Sequence, residues 1–305
     1  MTELRRLALS LLAATAAAQE PATPAPAEPA PLVWDDAARL HTAATTIARG
    51  TLHVDRDALL QVIADGGHVP VTVDIAEVLH GEPAKQITFY CYVPKGGAAK
   101  KAWEWAAATV RALDDQDRVV FVASTEGNLY LTGNPDSGTI AEPTREQIVA
   151  IRRREMQHRA WLAQPLPQDK KRQREVVRLV KRLTGGAELQ RESFAALEAL
   201  GEDAVVELIA AMDDRRKLPE AKLTLDNHAA DAFEAQRRYA PKLVVDGMAA
   251  ILNQITHESF GGIFNGASDA ERDAAVRGWT LYAHYVLAAR QRAAEQQRAD
   301  KARDG

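Results

Sequence analysis

Residues 69–93 read VPVTVDIAEVLHGEPAKQITFYCYV and contain the two clearest strands of the chain. In both strands apolar residues recur at every second position, which is the period of a β-strand with one buried face. The turn residues His80–Pro83 separate the two strands, so the stretch predicts neighbouring strands with a common apolar side. The apolar positions are Val69, Val71, Val73 and Ile75 in the first strand and Ile87, Phe89, Cys91 and Val93 in the second.

Further strand signals flank this pair on both sides. Thr42–Val54 is rich in β-branched residues, and Arg118–Ser124 and Asn128–Thr132 predict a hairpin. Helical spacing predicts one helix between the strands, from Ala98 to Leu113. Several strands with short turns and one inserted helix predict a small, partly closed antiparallel barrel over residues 34–140.

Three segments of this region carry a family resemblance. They are Glu77–Pro83 (EVLHGEP), Asp117–Val122 (DRVVFV) and Gly127–Gly133 (GNLYLTG). Their order resembles that of exported bacterial domains of the netrin/TIMP-like group of OB-type barrels. The resemblance rests on turn and core patterns, so it implies a fold and no activity.

From Thr144 onward the apolar period becomes helical and stays so to about residue 292. Thr144 with Gln147 and Ser268 with Glu271 have the spacing of capping boxes that open helices. The last helix carries Trp279 on its apolar stripe, and residues 293–305 are predicted to be a charged tail. The chain is therefore predicted to be α+β, with a barrel-like domain followed by an all-α domain.

Two helical segments resemble HEAT-like repeats. Phe194–Asp214 is similar to the pattern LxxLGxxAVxxLIxAMxD, and Ala249–Gly261 with Trp279 downstream is similar to LxxITGxxFG…W. Such arrays stack helix pairs and seldom carry chemistry themselves, so the resemblance implies a scaffold or an interaction surface.

The first 33 residues predict export. Arg5 and Arg6 precede the apolar run Leu7–Ala18, which ends in the small residues of a cleavage site, so residues 1–18 are predicted to be a signal peptide. Residues 19–33 alternate Pro with Ala and Glu and predict an extended linker. We expect a periplasmic or secreted protein without a transmembrane segment after cleavage.

The composition is that of a globular protein. Of 305 residues 46% are hydrophobic and 26% are charged, which excludes collagen-like, fully disordered and polytopic membrane proteins. A formal net charge of −4 argues against a nucleic-acid partner. The expected partner is another envelope protein, and the sequence leaves the oligomeric state open.

The sequence predicts no catalytic, cofactor or metal site. Cys91 is the single cysteine and lies on the apolar face of a strand, so it is either buried or paired with a partner. Ser268 sits in a Gly-x-Ser-x-Ala stretch similar to a nucleophile elbow, but its capping-box spacing explains it. Asp226, His228 and Asp231 lie in a polar segment where one histidine among carboxylates is usually solvated.

The stretch Arg152–Arg182 holds eleven Lys and Arg against three Asp and Glu. It is either an anion-binding face or the solvated outer side of two helices, on which Glu155 and Arg159 have the spacing of an i,i+4 pair. The solvated face is the favoured interpretation.

The most unusual segment is the glycine-rich loop, Thr256–Gly266, between two helices. Its candidate interaction residues are His257, Glu258, Phe260 and Asn265. Alternatively, Phe260 and Phe264 plug the gap between the helices. These features together predict an exported, non-enzymatic binding or scaffolding protein; the alternative is an envelope hydrolase with a site at the domain junction.

Overall fold

Five strands close into a barrel in the first half of the protein. The computed structural model describes residues 32–93, 112–125, 127–132, 138–226 and 236–303, together with Ala108 and Val110. Around the barrel the order is β1-β2-β3-β5-β4 and back to β1, and β3–β5 is the parallel pair. The strands are β1 (Thr46–Val54), β2 (Gly67–His80), β3 (Gln86–Val93), β4 (Gln116–Thr125) and β5 (Asn128–Leu131), and a short β6 (Thr139–Ala141) pairs with β4. The predicted α+β class is confirmed, and the barrel is fully closed where partial closure was expected.

The barrel interior is formed by the alternating apolar residues of the quoted strands. Leu52 of β1 and alternate residues of β4 complete the same core. Ile75 and Ile87 lie at its margin and are half-buried. The fully buried residues of β2 and β3 are Val69, Val71, Val73, Phe89, Cys91 and Val93.

Strand β4 is covered on both faces. Each residue of the run 119–122 is buried. Alternate residues face the barrel interior, whereas Val119 and Phe121 pack outward against Ile148 and Ile151. A strand that is buried on both faces has a continuous apolar sequence, which is why this run does not alternate.

Strands β1 and β2 approach each other closely at Gly50. Their register shifts beside this residue, and a Cβ atom there would lie 2.1 Å from the carbonyl oxygen of Asp74. The position therefore requires glycine because no side chain fits between the two backbones.

Helices make up most of the rest of the described chain. Two of them, α1 (Asp36–Ala43) and α2 (Arg56–Asp65), lie within the barrel region and were not predicted. A two-stranded hairpin of β7 (Leu223–Asp226) and β8 (Gln236–Tyr239) interrupts the helical region. The other helices are α3 (Arg145–Leu162), α4 (Lys170–Arg182), α5 (Ala187–Glu198), α6 (Val205–Ala210), α7 (Val244–Thr256) and α8 (Asp269–Arg303).

Both predicted capping boxes are formed. The Thr144 hydroxyl accepts a hydrogen bond from the backbone of Gln147, whose side chain accepts one from the Thr144 backbone. Ser268 and Glu271 make the corresponding pair of bonds at the start of α8. The predicted tail 293–305 is the exposed end of α8 as far as Arg303.

The helical region has its own apolar core, centred on Trp279. This indole is fully buried in one cluster with Met248 and Ile251 of α7, and its ring meets that of Phe260 edge-on at 4.8 Å. A smaller apolar cluster joins the barrel to α3, and the described residues from Leu32 onward belong to one compact unit. No helix among the described residues is long and apolar enough to cross a membrane.

The predicted signal peptide 1–18 and most of the predicted linker 19–33 lie outside the described residues. So does most of the helix expected from Ala98 to Leu113, of which Val110 and Leu113 are described and are buried in the barrel core.

Candidate functional site

A cavity of about 280 Å³ lies at the junction of the barrel and the helical region. One wall is formed by the corner between α1 and β1 and by residues 123–125 at the end of β4. The opposite wall is formed by the glycine-rich loop and the first turns of α8. The volume is at the lower limit of the range for small-molecule sites, and it suits a single side chain or a short chain segment.

The glycine-rich loop is fixed by bonds to other parts of the protein. His257 adopts the left-handed conformation that ends α7, and its backbone N–H donates to the carbonyl oxygen of Asn253. The Asn265 side-chain oxygen accepts a hydrogen bond of 2.8 Å from the backbone of Ala240. Of the four candidate interaction residues, Phe260 alone lines the cavity.

Glu258 and Phe260 together hold the start of the described chain. The indole N–H of Trp34 donates to Glu258 Oε1 at 2.8 Å, and Arg39 Nη2 lies 3.0 Å from the same oxygen. The Phe260 ring packs between Trp34 and Trp279. Both side chains are thus engaged within the protein: Glu258 bonds to the N-terminal segment, and Phe260 is buried among aromatic rings.

The polar groups of the cavity differ in how they are satisfied. The Thr45 hydroxyl accepts from the backbone of Ser124 and donates to the Val122 carbonyl, and the Ser268 hydroxyl donates to Glu271 at 2.7 Å. The Thr42 hydroxyl, by contrast, is buried, with 2% of the residue exposed, and has no hydrogen-bond partner within the described part of the chain. A buried hydroxyl without a partner has a free-energy cost, and Thr42 is a residue of the cavity wall, although its oxygen has less than 1 Å² of accessible surface.

Next to this cavity, α1 also contributes to a buried cluster of one carboxylate and three imidazoles. The side chain of Glu155 is 3% exposed, and its carboxylate oxygens lie 3.3 Å from His41 Nδ1 and 2.8 Å from His80 Nδ1. His158 Nδ1 is 3.8 Å from the same carboxylate, and His158 Nε2 lies 2.8 Å from the Tyr285 hydroxyl. The residues come from α1, β2, α3 and α8, so the cluster joins the barrel to the helices.

Burial and hydrogen bonds together set the protonation states of Glu155, His41 and His158. Burial opposes ionisation of Glu155, but hydrogen bonds from His41 and His80 outweigh it and hold the pKa of the carboxyl well below its ordinary value. Burial lowers the pKa of His158 to about 3 against the attraction of Glu155, and it lowers the pKa of His41 in the same way. The cluster thus holds an ionised carboxylate beside two neutral imidazoles at neutral pH. Imidazoles whose pKa is lowered by burial are weaker bases than free histidine, so the arrangement serves structure better than catalysis.

Sequence reasoning missed this cluster. The spacing of Glu155 and Arg159 suggested an exposed ion pair, but Glu155 points into the protein. The separation of three residues between Glu155 and His158 was the one local signal, because residues three apart lie on the same face of a helix.

The predicted nucleophile candidates have structural positions. Cys91 lies in the barrel core, where burial raises the pKa of its thiol to about 12 and keeps it protonated. Ser268 caps α8. At least five cations of the Arg152–Arg182 stretch pair with carboxylates, in Arg152–Glu77, Arg154–Asp35, Arg172–Glu207, Arg178–Glu175 and Arg182–Glu192.

Among the residues that the structure describes, one group of side chains on the barrel surface has ligand atoms close enough together for a single cation. These are His53, Asp114 and Asp115, whose nearest donor atoms lie within 4.8 Å of one another. Asp114 already accepts from the backbone of Val54 and from Arg56, and His53 pairs with Asp115, so existing bonds account for the arrangement. Of the other residues considered for a metal, His228 and Asp231 lie outside the described residues and Asp226 ends β7.

Comparison with protein-family models, with curated proteins and with solved structures gave no match to this chain.

Proposed function

We propose that this protein is an exported, non-enzymatic binding protein of the cell envelope, and that a partner protein inserts a side chain or a short segment into the junction cavity. The junction cavity of about 280 Å³ carries this proposal, and the unpaired hydroxyl of Thr42 lies just behind the surface of its wall. The opposite wall presents the backbone of Gly261 and Gly262, which offers hydrogen-bonding groups to an extended chain without obstruction by side chains.

Binding is a better account than the alternative, a hydrolase with its site at the junction. Ser268 is the serine of the cavity wall whose flanking sequence resembles a nucleophile elbow. Its hydroxyl donates a hydrogen bond to Glu271 at the start of α8. Cys91 lies in the barrel interior with a protonated thiol. Cys91 is therefore neither exposed nor ionised, and Ser268, although exposed, bonds to the carboxylate of its own capping box and to no histidine among the described residues.

The proposal also covers the fold type of the barrel and of the helical region, and the location of the protein. The closed five-stranded barrel is proposed to be of the OB type, related to netrin/TIMP-like domains, and the helical region is proposed to be a HEAT-like scaffold. Removal of residues 1–18 during export would leave the linker 19–33 in front of the folded unit.

Filling the cavity tests the proposal. Gly262 has an ordinary backbone conformation, and a Cβ atom at this position would have no other heavy atom within 4 Å, so Gly262→Trp adds bulk at the cavity without a clash at the backbone. Ala270→Trp adds the same ring at an exposed position in the first turn of α8 that does not line the cavity. We expect a protein that copurifies from envelope extracts with the wild type and with Ala270→Trp to be reduced at least tenfold with Gly262→Trp. Equal yields from all three would contradict the proposal, and hydrolysis of simple ester substrates that is lost in Gly262→Trp would establish the enzyme alternative.

Thr42→Val gives a second, independent test because valine has nearly the shape of threonine without the hydroxyl. If the hydroxyl serves a partner, Thr42→Val weakens copurification while the stability of the free protein stays equal or increases. Unchanged binding would remove Thr42 from the site.

A further inference from the structure

The outer face of β2, β3 and β5 carries a cluster of aromatic rings. Three of the six tyrosines of the chain lie here together. The register places His68 opposite Tyr92 and Pro70 opposite Tyr90, and Tyr90 pairs with Tyr130 across the parallel strands. We call these five residues the tyrosine face.

The rings of the tyrosine face are in contact with one another; His68 and Tyr92 are exposed, and Tyr90 and Tyr130 are half-buried. Ring centroids lie 5.3 Å apart for His68 and Tyr92, 5.4 Å for His68 and Tyr130, and 5.8 Å for Tyr90 and Tyr130. Tyr92 is 62% exposed, far more than a ring that contributes to the core. Clustered exposed aromatic rings are unusual on a protein surface and are typical of a binding site.

The face is almost without charge, which selects among possible ligands. Beyond the rings, Thr72 and Thr88 face each other with their hydroxyls 3.2 Å apart, and Gln86 donates to Asp74. The described outward positions are those from His68 to Asp74 on β2 and those of β3 and β5. Among them Asp74 is the one charged residue, and none is Lys or Arg. A phosphate polymer requires cations beside the stacking rings, so its charge does not match this surface.

We infer that the tyrosine face binds a neutral, β-linked glycan strand. The C–H faces of pyranose rings are apolar and stack on aromatic rings, while their hydroxyl groups exchange hydrogen bonds with phenol, threonine and amide groups. Tyr90 and Tyr92 stand two residues apart on β3, a separation of about 7 Å along the strand, so a ligand that extends along β3 can reach both rings. This site is on the barrel surface and is independent of the junction cavity.

The test uses the full chain, cellohexaose and chitohexaose as neutral glycans, and a ten-residue oligothymidylate as a charged polymer. Isothermal titration calorimetry measures the three affinities. We expect the wild type to bind at least one of the hexasaccharides and to bind it more tightly than the oligothymidylate. Tyr92→Ala removes an exposed ring and is expected to weaken that binding at least tenfold, whereas Tyr92→Phe keeps the ring and stays within about threefold of the wild type.

Leu60→Ala is the matched control because Leu60 is also 62% exposed and lies on α2 of the same barrel, outside the tyrosine face. It is expected to bind like the wild type. Circular dichroism checks that Tyr92→Ala is folded. The inference is overturned if the wild type binds neither hexasaccharide, if the oligothymidylate binds more tightly in a Tyr92-dependent way, or if Tyr92→Ala binds like the wild type.

Discussion

Replacing His158 by glutamine tests how the buried cluster responds to pH. His158 is fully buried, and burial lowers the pKa of its ring to about 3. In the unfolded chain the ring takes up a proton below its ordinary pKa of 6.5, whereas in the folded protein it stays neutral at pH 5. The unfolded state then binds more protons than the folded state. The contribution of His158 to stability is therefore complete above pH 6.5 and is lost as the pH falls from 6.5 toward 3.

The size of the effect follows from the width of this window. One group of this kind changes the free energy of unfolding by about 1.4 kcal/mol for each pH unit, so lowering the pH from 7 to 5 costs about 2 kcal/mol through His158. The lowered pKa of His41 adds a loss in the same direction. Glutamine does not titrate, so the His158→Gln variant should lose about 2 kcal/mol less than the wild type between these two pH values. Urea unfolding followed by circular dichroism at pH 7 and pH 5 measures the difference.

Tyr285→Phe is the control because it removes the hydroxyl that contacts His158 Nε2 and leaves the imidazole in place. It is expected to lower stability at both pH values by a similar amount, so that the loss between pH 7 and pH 5 equals that of the wild type. If His158→Gln shows the same pH-dependent loss as the wild type, the buried neutral state of His158 is refuted.

Three further predictions concern buried groups. Trp279→Ala should lower the free energy of unfolding by about 3–5 kcal/mol because the indole is fully buried in the helical core, and an unchanged urea midpoint would place it on the surface instead. Asp246→Ala should cost about 3–5 kcal/mol because it removes the buried carboxylate 2.7 Å from the guanidinium of Arg272 and leaves the exposed Asp269 as the remaining carboxylate partner among the described residues. Asp246→Leu combined with Arg272→Met should cost less than Asp246→Ala, which a double-mutant comparison by urea unfolding will show. With a thiol pKa of about 12 and a buried side chain, Cys91 should react with an aromatic disulfide reagent at pH 8 only after urea unfolds the protein, and rapid labelling of the native protein would contradict its core position.

The barrel was predictable because its signals are local. Alternation over Val69–Val73 and Ile87–Val93 requires only neighbours in sequence, and the structure buries these positions as the pattern indicates. Helix α1 was missed because it has eight residues and its buried positions are Ala38, His41 and Thr42, which are small or polar and form no apolar stripe. Closure of the barrel depends on the parallel pair β3–β5, and sequence pattern carries no information on which strands meet at that point.

The buried cluster and the role of the glycine-rich loop depend on long-range contacts. His41 and Glu155 are 114 positions apart, and neither has a sequence neighbour that indicates the other. The loop was recognised as unusual, yet the partner of Glu258 is Trp34, 224 positions away. From sequence alone, a charged residue whose partner is distant is predicted to be exposed to solvent, because only the fold brings the partner beside it.

The contacts of Trp34 bear on the order in which this protein is made and folded. Its ring packs against Phe260, Tyr282 and Tyr285, all of which are synthesised at least 225 residues after it. While the ribosome is still producing the barrel and the first long helices, the indole and the helix that follows it have none of these aromatic partners. Assembly of the N-terminal segment therefore waits for the last helix, and a chain that is shortened before residue 285 lacks part of the pocket that holds its own beginning. Burial of the Trp34 indole therefore requires a chain that extends past Tyr285, even if the barrel folds earlier.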